Sequence, residues 1–238
     1  MGITIQIKIF KASIIFVLFL FSTGCVAHQR AWRYSVDSYP TGKSPILSRR
    51  VAVPPFRDSR PDRNEDALLV YLFPLVPFGW VDYSTPEAGN SKITSFPAWH
   101  FRPTQDFAMA AAEELDASGL FKEVFFTSRA SEGDFVLKGE VKSTRYWGKN
   151  ITYGLSLYAP GVWFLGLPMG TIHNELEVEF TLVDPLTGES LWHKSYNMTY
   201  HKSPFWIYKM PSDFDYDNLF KAMMKDVVKS LESTLSKS

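Results

Sequence analysis

Few residues in this chain have the types and spacing to do chemistry, and the most informative is Cys25. It is the only cysteine among 238 residues and directly follows Phe21-Ser22-Thr23-Gly24. Ahead of it lie Lys8 and Lys11, then an almost wholly aliphatic and aromatic run from Ala12 to Phe21. A positively charged start, a short apolar stretch and a small-residue processing site are the three parts of an export signal. The apolar stretch is too short to cross a bilayer, which takes about 20 residues of helix. A lone thiol excludes an intrachain disulfide and a cysteine-rich metal site. The five histidines, His28, His100, His173, His193 and His201, show no H-x-x-x-H or H-E-x-x-H spacing. There is also no G-x-S-x-G elbow and no phosphate-binding glycine loop. No catalytic residue, cofactor or metal ligand is expected, and the chain is not read as an enzyme.

Ser22-Thr23-Gly24-Cys25 resembles the lipobox of bacterial lipoproteins, with Ser22 where that family usually carries Leu and Phe21 supplying the bulk one place earlier. The resemblance implies cleavage before Cys25 and acylation of that residue, palmitate included. It further implies a membrane anchor in the outer membrane, since Val26 rather than Asp follows the cysteine. With several acyl chains, each buried methylene contributing about 0.8 kcal/mol, no meaningful soluble population would remain. The other reading of the same residues is an ordinary cleaved signal that ends beside a cysteine.

Two other clusters merit weighing. Residues 57–66 (RDSRPDRNED) are the densest charged stretch and suit an anion or a divalent cation. The close alternation of sign favours a solvated, self-compensating loop instead. Asp213-Phe214-Asp215-Tyr216-Asp217-Asn218 alternates oxygens as a calcium loop does, but lacks the required Gly and distal Glu. Helix capping by Asp215 or Asp217 explains it.

The elements that must position any site follow from patterning. Residues 1–24 are the signal peptide. Residues 25–49 are the lipidated N-terminus and a tether, with Trp32 and Tyr34 available to dock it. Residues 50–238 form a single α/β periplasmic domain. Strands are predicted within Arg50–Phe56, where Pro54 and Pro55 end the ladder, and at Val124–Phe126, Asp134–Val141, Glu175–Leu182 and Ser190–Tyr200. In the fourth, Leu176, Val178, Phe180 and Leu182 point one way and Glu175, Glu177, Glu179 and Thr181 the other. One helix is capped by Thr104 and carries Phe107, Ala108, Ala111 and Leu115. A last helix carries Leu219, Phe220, Met223, Val227, Leu231 and Leu235 on one stripe. The expected fold is α+β: a mixed sheet of about five strands with two helices on one face. Two apolar inserts rich in Pro, Gly and aromatics, near 57–103 and 148–173, interrupt it and are expected to lack regular structure.

The segments RRVAVPPFRDSR, SGLFKEV, GDFVLKGEV and VEFTLVDPLTGESLW are similar to the periplasmic domain of curli-secretion-type lipoproteins. This resemblance implies a fold more than a function.

Charge and composition narrow the partners. The chain holds 25 basic and 25 acidic residues, and the first 24 carry two of the lysines and no acid. The mature part is thus near −2, with no electrostatic reason to bind nucleic acid. Aromatics reach 16%, and Trp and Tyr are favoured where one side is apolar and the other wet. Tyr71, Phe73, Phe78 and Trp80 in the first insert and Tyr158, Trp163, Phe164 and Leu167 in the second are therefore the candidate contact residues. They serve either as core covering a bare sheet face or as an exposed patch. The expected function is a non-enzymatic lipoprotein, anchored to the membrane by its acyl chains and facing the periplasm. Its domain binds or helps assemble another cell-envelope component, with a protein partner in the envelope. The rival is a carrier or chaperone holding a lipid or apolar peptide between the aromatic loops and the sheet.

Overall fold

The computed structural model describes residues 30–32, 34–39, 44–89, 99–205 and 215–236. The expected signal peptide, the lipobox and Cys25 lie outside these residues.

The described strands are β1 (Arg30–Ala31), β2 (Leu47–Val53), β3 (Arg57–Asp58), β4 (Asn64–Ala67), β5 (Phe78–Tyr83), β6 (Trp99–His100), β7 (Phe121–Phe126), β8 (Phe135–Ser143), β9 (Tyr146–Ile151), β10 (Gly170–Val183) and β11 (Ser190–Lys202). Helices are α1 (Pro86–Gly89), α2 (Pro103–Ser118), α3 (Ala159–Phe164) and α4 (Tyr216–Leu235). Strands β1 and β6 pair with each other, and the other nine form one mixed sheet.

β10 organises that sheet. Its pattern of apolar and polar alternation runs unbroken through its centre, and buried and half-buried positions alternate with it. β11 pairs antiparallel along one of its edges. The other edge is shared: β8 pairs with the C-terminal half of β10 and β9 with the N-terminal half. Thr144 and Arg145 separate β8 from β9, and the Glu175 N–H donates to the Arg145 carbonyl across this junction at 2.8 Å. Beyond β8 lie β2, then β7, both parallel, so β2-α2-β7 is a βαβ unit with the first insert threaded through its crossover. Beyond β9 lie β5 and β4, antiparallel. The sheet thus has a helix-covered half built on β7-β2-β8-β10-β11 and an extension built on β4-β5-β9-β10.

Nine strands replace the five expected. The first insert is not structureless: it contributes β3, β4, β5, α1 and β6. The second encloses the end of β9, α3 and the start of β10. Pro74 and Pro77 do stop the chain from continuing as one element, but β5 starts immediately after Pro77, where no ladder hydrogen bond is lost. The helix after Arg102 is capped differently from the expectation of Thr104. Pro103 occupies the first turn and the Asp106 carboxylate accepts from the Arg102 N–H at 2.7 Å. Gly119, at φ 69°, ends it in the left-handed conformation.

α2 and α4 cover one face of the sheet, as their apolar stripes require. Phe107 stacks on Phe220 at 4.6 Å between ring centroids, and Phe101 on Tyr216 at 5.7 Å. Phe56 meets Phe180 edge to face. Gly139 must be glycine here, because a Cβ would stand 2.5 Å from the Phe56 ring. The fragments similar to the curli-secretion-type domain fall in the helix-covered half, as β2, β3, the end of α2, β7, β8, β10 and β11.

The segment read as a tether is laid onto this core over its described part. Trp32 packs against Phe101 and Phe107, each at 5.2 Å. Tyr34 and Tyr39 donate their hydroxyls to the Glu114 carboxylate, at 2.8 and 2.5 Å, within α2.

Candidate functional site: an apolar lobe at the end of the sheet

The two apolar inserts meet. From the end of β4 the chain makes a 3-10 turn over Leu68–Leu72, reverses at Pro74–Leu75 and enters β5. From the end of β9 it makes a second 3-10 turn over Ser156–Tyr158, runs through α3 and returns as β10. β5 and β9 are neighbours in the sheet, so both excursions leave from the same end of the extension. They are hydrogen-bonded to each other. The Leu75 N–H donates to the Gly154 carbonyl at 3.1 Å, and the Thr152 and Tyr153 N–H groups donate to the Pro77 carbonyl. The Ser156 hydroxyl donates to the Leu72 carbonyl at 2.6 Å and the Thr152 hydroxyl to that of Val76 at 3.1 Å. Gly79 makes the fold-over possible: a Cβ there would lie 1.9 Å from the Leu68 carbonyl oxygen.

The result is a lobe that exposes its apolar side chains. Sixteen large hydrophobic residues are exposed among those described, and thirteen of them lie between Leu69 and Phe78 or between Tyr153 and Leu167. Leu75 is 88% exposed, Tyr158 83% and Leu165 80%. From Ala67 to Val81 and from Asn150 to Asn174 there is no Asp, Glu, Lys or Arg. An exposed, contiguous apolar surface of this kind marks a contact site.

The eight residues singled out from the sequence divide between two roles. Phe73, Phe78, Tyr158, Phe164 and Leu167 are exposed on the lobe. Tyr71, Trp80 and Trp163 are half-buried and help to build it. Trp163 donates its indole N–H to the Ile151 carbonyl at 2.8 Å, which pins α3 to the end of β9. Trp80 lies on the more exposed face of β5, which it shares with Phe78 and Asp82. Sequence reasoning missed Leu75, Leu157 and Leu165, although each sits inside the runs it identified. Aromatic type is what marks a contact residue in a sequence, while exposure is decided by the direction of each turn.

Backbone strain gathers in the same place. The non-glycine residues with positive φ among those described are Leu75 (69°), Tyr153 (57°) and Ser156 (50°), all in the lobe. Left-handed backbone costs an L-residue roughly 1–2 kcal/mol, and such strain clusters where a surface is held for use.

The buried charges elsewhere have structural partners. Arg60, in the cluster expected to be a solvated loop, has a buried side chain. Its guanidinium forks onto Asp58, reaches Glu87 at 2.6 Å and donates to the Thr144 hydroxyl at 2.7 Å. The flanking Asp58 and Glu87 carboxylates hold its pKa above the ordinary arginine value against the opposing effect of burial. Arg63 pairs with Glu65 on the surface. His173 and His201 face each other across β10 and β11 at 6.1 Å. Among the described residues, no three His, Cys, Asp or Glu side chains converge as a metal site would need.

No family model matches the chain, and no curated protein does. Solved structures give likenesses of fold. A DUF330 protein from Xanthomonas campestris is 12% identical, with a TM-score of 0.50 over 89% of this chain and 98% of its own. The PelC dodecamer from Paraburkholderia phytofirmans is 17% identical, with a TM-score of 0.36 over 79% and 92%. Lipoprotein GNA1162 from Neisseria meningitidis is 13% identical, with a TM-score of 0.24 over 79% and 99%. At this identity the likeness to the Xanthomonas protein is one of fold alone, and the other two superpose less closely still.

Proposed function

We propose that this chain is a non-enzymatic lipoprotein of the bacterial outer membrane. Acyl chains on Cys25 anchor it, its α+β domain faces the periplasm, and the apolar lobe binds or helps assemble another cell-envelope component. The observation that carries this reading is the gathering of thirteen exposed apolar side chains onto one uncharged lobe. Such a surface is costly in water, at about 25 cal/mol per Å² of apolar area left uncovered. The non-enzymatic reading rests on how the reactive groups are used. The one thiol belongs to the lipobox. The Glu114 and Arg60 side chains, both buried, are occupied by Tyr34 and Tyr39 and by Asp58, Glu87 and Thr144.

A direct contact between the two inserts favours a surface over a carrier's chamber. Leu75 bonds to Gly154 and Ser156 to Leu72, so the loops close on each other instead of facing across a gap.

Photo-crosslinking in intact envelopes tests the reading. A photoreactive residue at Phe73 or Tyr158 is expected to give adducts to envelope lipid or protein, while one at Leu186, on the β10–β11 turn, gives none. Radiolabelled palmitate is expected on the wild-type chain and absent from Cys25→Ser. Label that survives the substitution, or adducts equally abundant from all three positions, rejects it.

A further inference from the structure

We infer that the envelope component met by the lobe is the lipid bilayer itself, so that the domain is held at the membrane at two points, the acylated N-terminus and the lobe. The inference rests on the reading of this chain as a lipoprotein acylated at Cys25.

Three observations favour lipid over a protein partner. The first is how the lobe's polar groups are spent. Protein interfaces use exposed donors and acceptors, about one hydrogen bond per 100–200 Å². Hydrocarbon tolerates irregular backbone only where its polar groups are satisfied within the protein. Here Thr152 and Ser156 turn their hydroxyls inward onto carbonyls of the facing loop. Tyr153 donates its hydroxyl to Pro168 at 2.7 Å, and Trp163 its indole N–H to Ile151. The side chains left outward are Leu, Phe, Val and Tyr.

The second is the order of residue types along the extension. At its root, Asp82 pairs with Arg145. Trp147 stands opposite Asp82, and the next pair on that face is Trp80 with Lys149, whose ammonium lies 4.2 Å from the Phe78 ring and 5.2 Å from that of Trp147. Beyond Lys149, neither of the two runs that build the lobe, Ala67 to Val81 and Asn150 to Asn174, holds an Asp, Glu, Lys or Arg. Charge, then amphipathic aromatics and a lysine with its stem on a ring, then hydrocarbon, is the sequence of groups met on passing from water into a bilayer.

The third is reach. Four residues separate Cys25 from Arg30, five steps of chain that span at most about 18 Å. Arg30 pairs with Trp99, and Trp32 packs on Phe101. Phe101 stacks on Tyr216, whose hydroxyl donates to the Thr144 carbonyl at 2.7 Å. Thr144 is where the extension departs, so Trp32 is tied through three contacts to the root of the extension. The β10–β11 turn is at the opposite end of β10, roughly 40 Å from the lobe at about 3.3 Å per residue.

The test uses the full acylated protein reconstituted in phosphatidylethanolamine–phosphatidylglycerol vesicles. An acylated Cys25 takes up no thiol reagent, so Leu157→Cys, Leu165→Cys and Leu186→Cys each carry one environment-sensitive fluorophore. Labels at 157 and 165 are expected to shift to the blue and to be quenched by lipids bearing a nitroxide within the acyl chain. The label at 186 is expected to do neither. Leu75→Asp, at a position 88% exposed in water, should abolish the quenching at 157 while leaving far-UV circular dichroism unchanged. Lobe labels no more quenched than that at 186, in protein that floats with the vesicles, overturn the inference. A blue shift without lipid quenching also overturns it, in favour of a protein partner. If wild-type protein takes up thiol reagent, the acylation reading fails, and the labels are then placed in a Cys25→Ala background, where quenching at 157 and 165 reports on the lobe alone.

Discussion

Tyr34 donates its hydroxyl, at 2.8 Å, to the carboxylate of Glu114, which lies 80 positions further along the chain and is wholly buried in α2. Tyr39 donates to the same group at 2.5 Å, and Asp37 offers its backbone N–H at 3.3 Å. Asp37 in turn pairs with Lys221 and Lys225 of α4. A segment that reads as a tether is thereby fastened to both long helices.

Glu114→Leu leaves two phenols and an amide unsatisfied beneath the segment. Losing the partner of buried donors costs about 1–3 kcal/mol per group, so urea unfolding should register a loss of about 3 kcal/mol. Glu114→Gln keeps an acceptor and should lose less than half of that. Equal losses in the two variants would mean that packing, and not hydrogen bonding, holds the segment.

The same cluster sets an alkaline limit. Burial, reinforced by the Glu114 carboxylate, pushes the Tyr34 and Tyr39 phenols well above their ordinary value, and burial pushes Tyr196 up to about 12. Unfolded tyrosines ionise near about 10. Above that pH the unfolded chain binds fewer protons than the native one. Stability present in full below about pH 10 is therefore lost as pH rises through the native values. Unfolding midpoints measured from about pH 8 to about pH 12 should fall from about pH 10 upward, and Glu114→Gln should soften the fall.

The acid limit has the opposite sign. Asp37 is held below the usual carboxylate range by its hydrogen bond from Lys221, and Asp58 by that from Arg60. Their contributions are present above about pH 4 and are lost as pH drops through the native values. Asp58→Asn should flatten the pH dependence of the unfolding midpoint below about pH 4.

Arg60 sits where β3, α1 and the β8–β9 junction meet, and its replacement strands Glu87 in a half-buried site. Arg60→Met should cost about 3 kcal/mol. Arg60→Lys should recover little, since an ammonium cannot reproduce the two-pronged contact with Asp58. Chemical denaturation of both variants checks this.

At the lobe, relief of strain should separate stability from membrane contact. Leu75→Gly removes the penalty at φ 69° but adds chain entropy to the unfolded state. The net expectation is a gain of about 0.5 kcal/mol, together with weaker crosslinking from Tyr158. Gly79→Ala should do the reverse of a stabilising change. Its Cβ cannot coexist with the Leu68 carbonyl, so limited proteolysis should cut within 68–78 while the helix-covered half stays intact.

The alternation in Leu176-Glu177-Val178-Glu179-Phe180 specifies a half-buried strand by itself, because a period of two permits only one assignment of faces. The stripe from Leu219 to Leu235 specifies α4 in the same way. The short strands of the first insert were illegible. β4 (NEDA) has no apolar alternation of its own and β5 (FGWVDY) follows two prolines, so each exists only because the neighbouring strand offers it a ladder.

The amino-acid order alone determined the main strands and helices and the two uncharged runs, since each is a local arrangement of residue types. Only the tertiary structure decided that those runs meet, that they turn leucines outward, and that Glu114 and Arg60 serve the fold. Those outcomes depend on pairings between residues scores of positions apart, such as Leu75 with Gly154 and Tyr34 with Glu114. No local pattern encodes such pairings, because their free energy arises only once the sheet has brought both partners to one place.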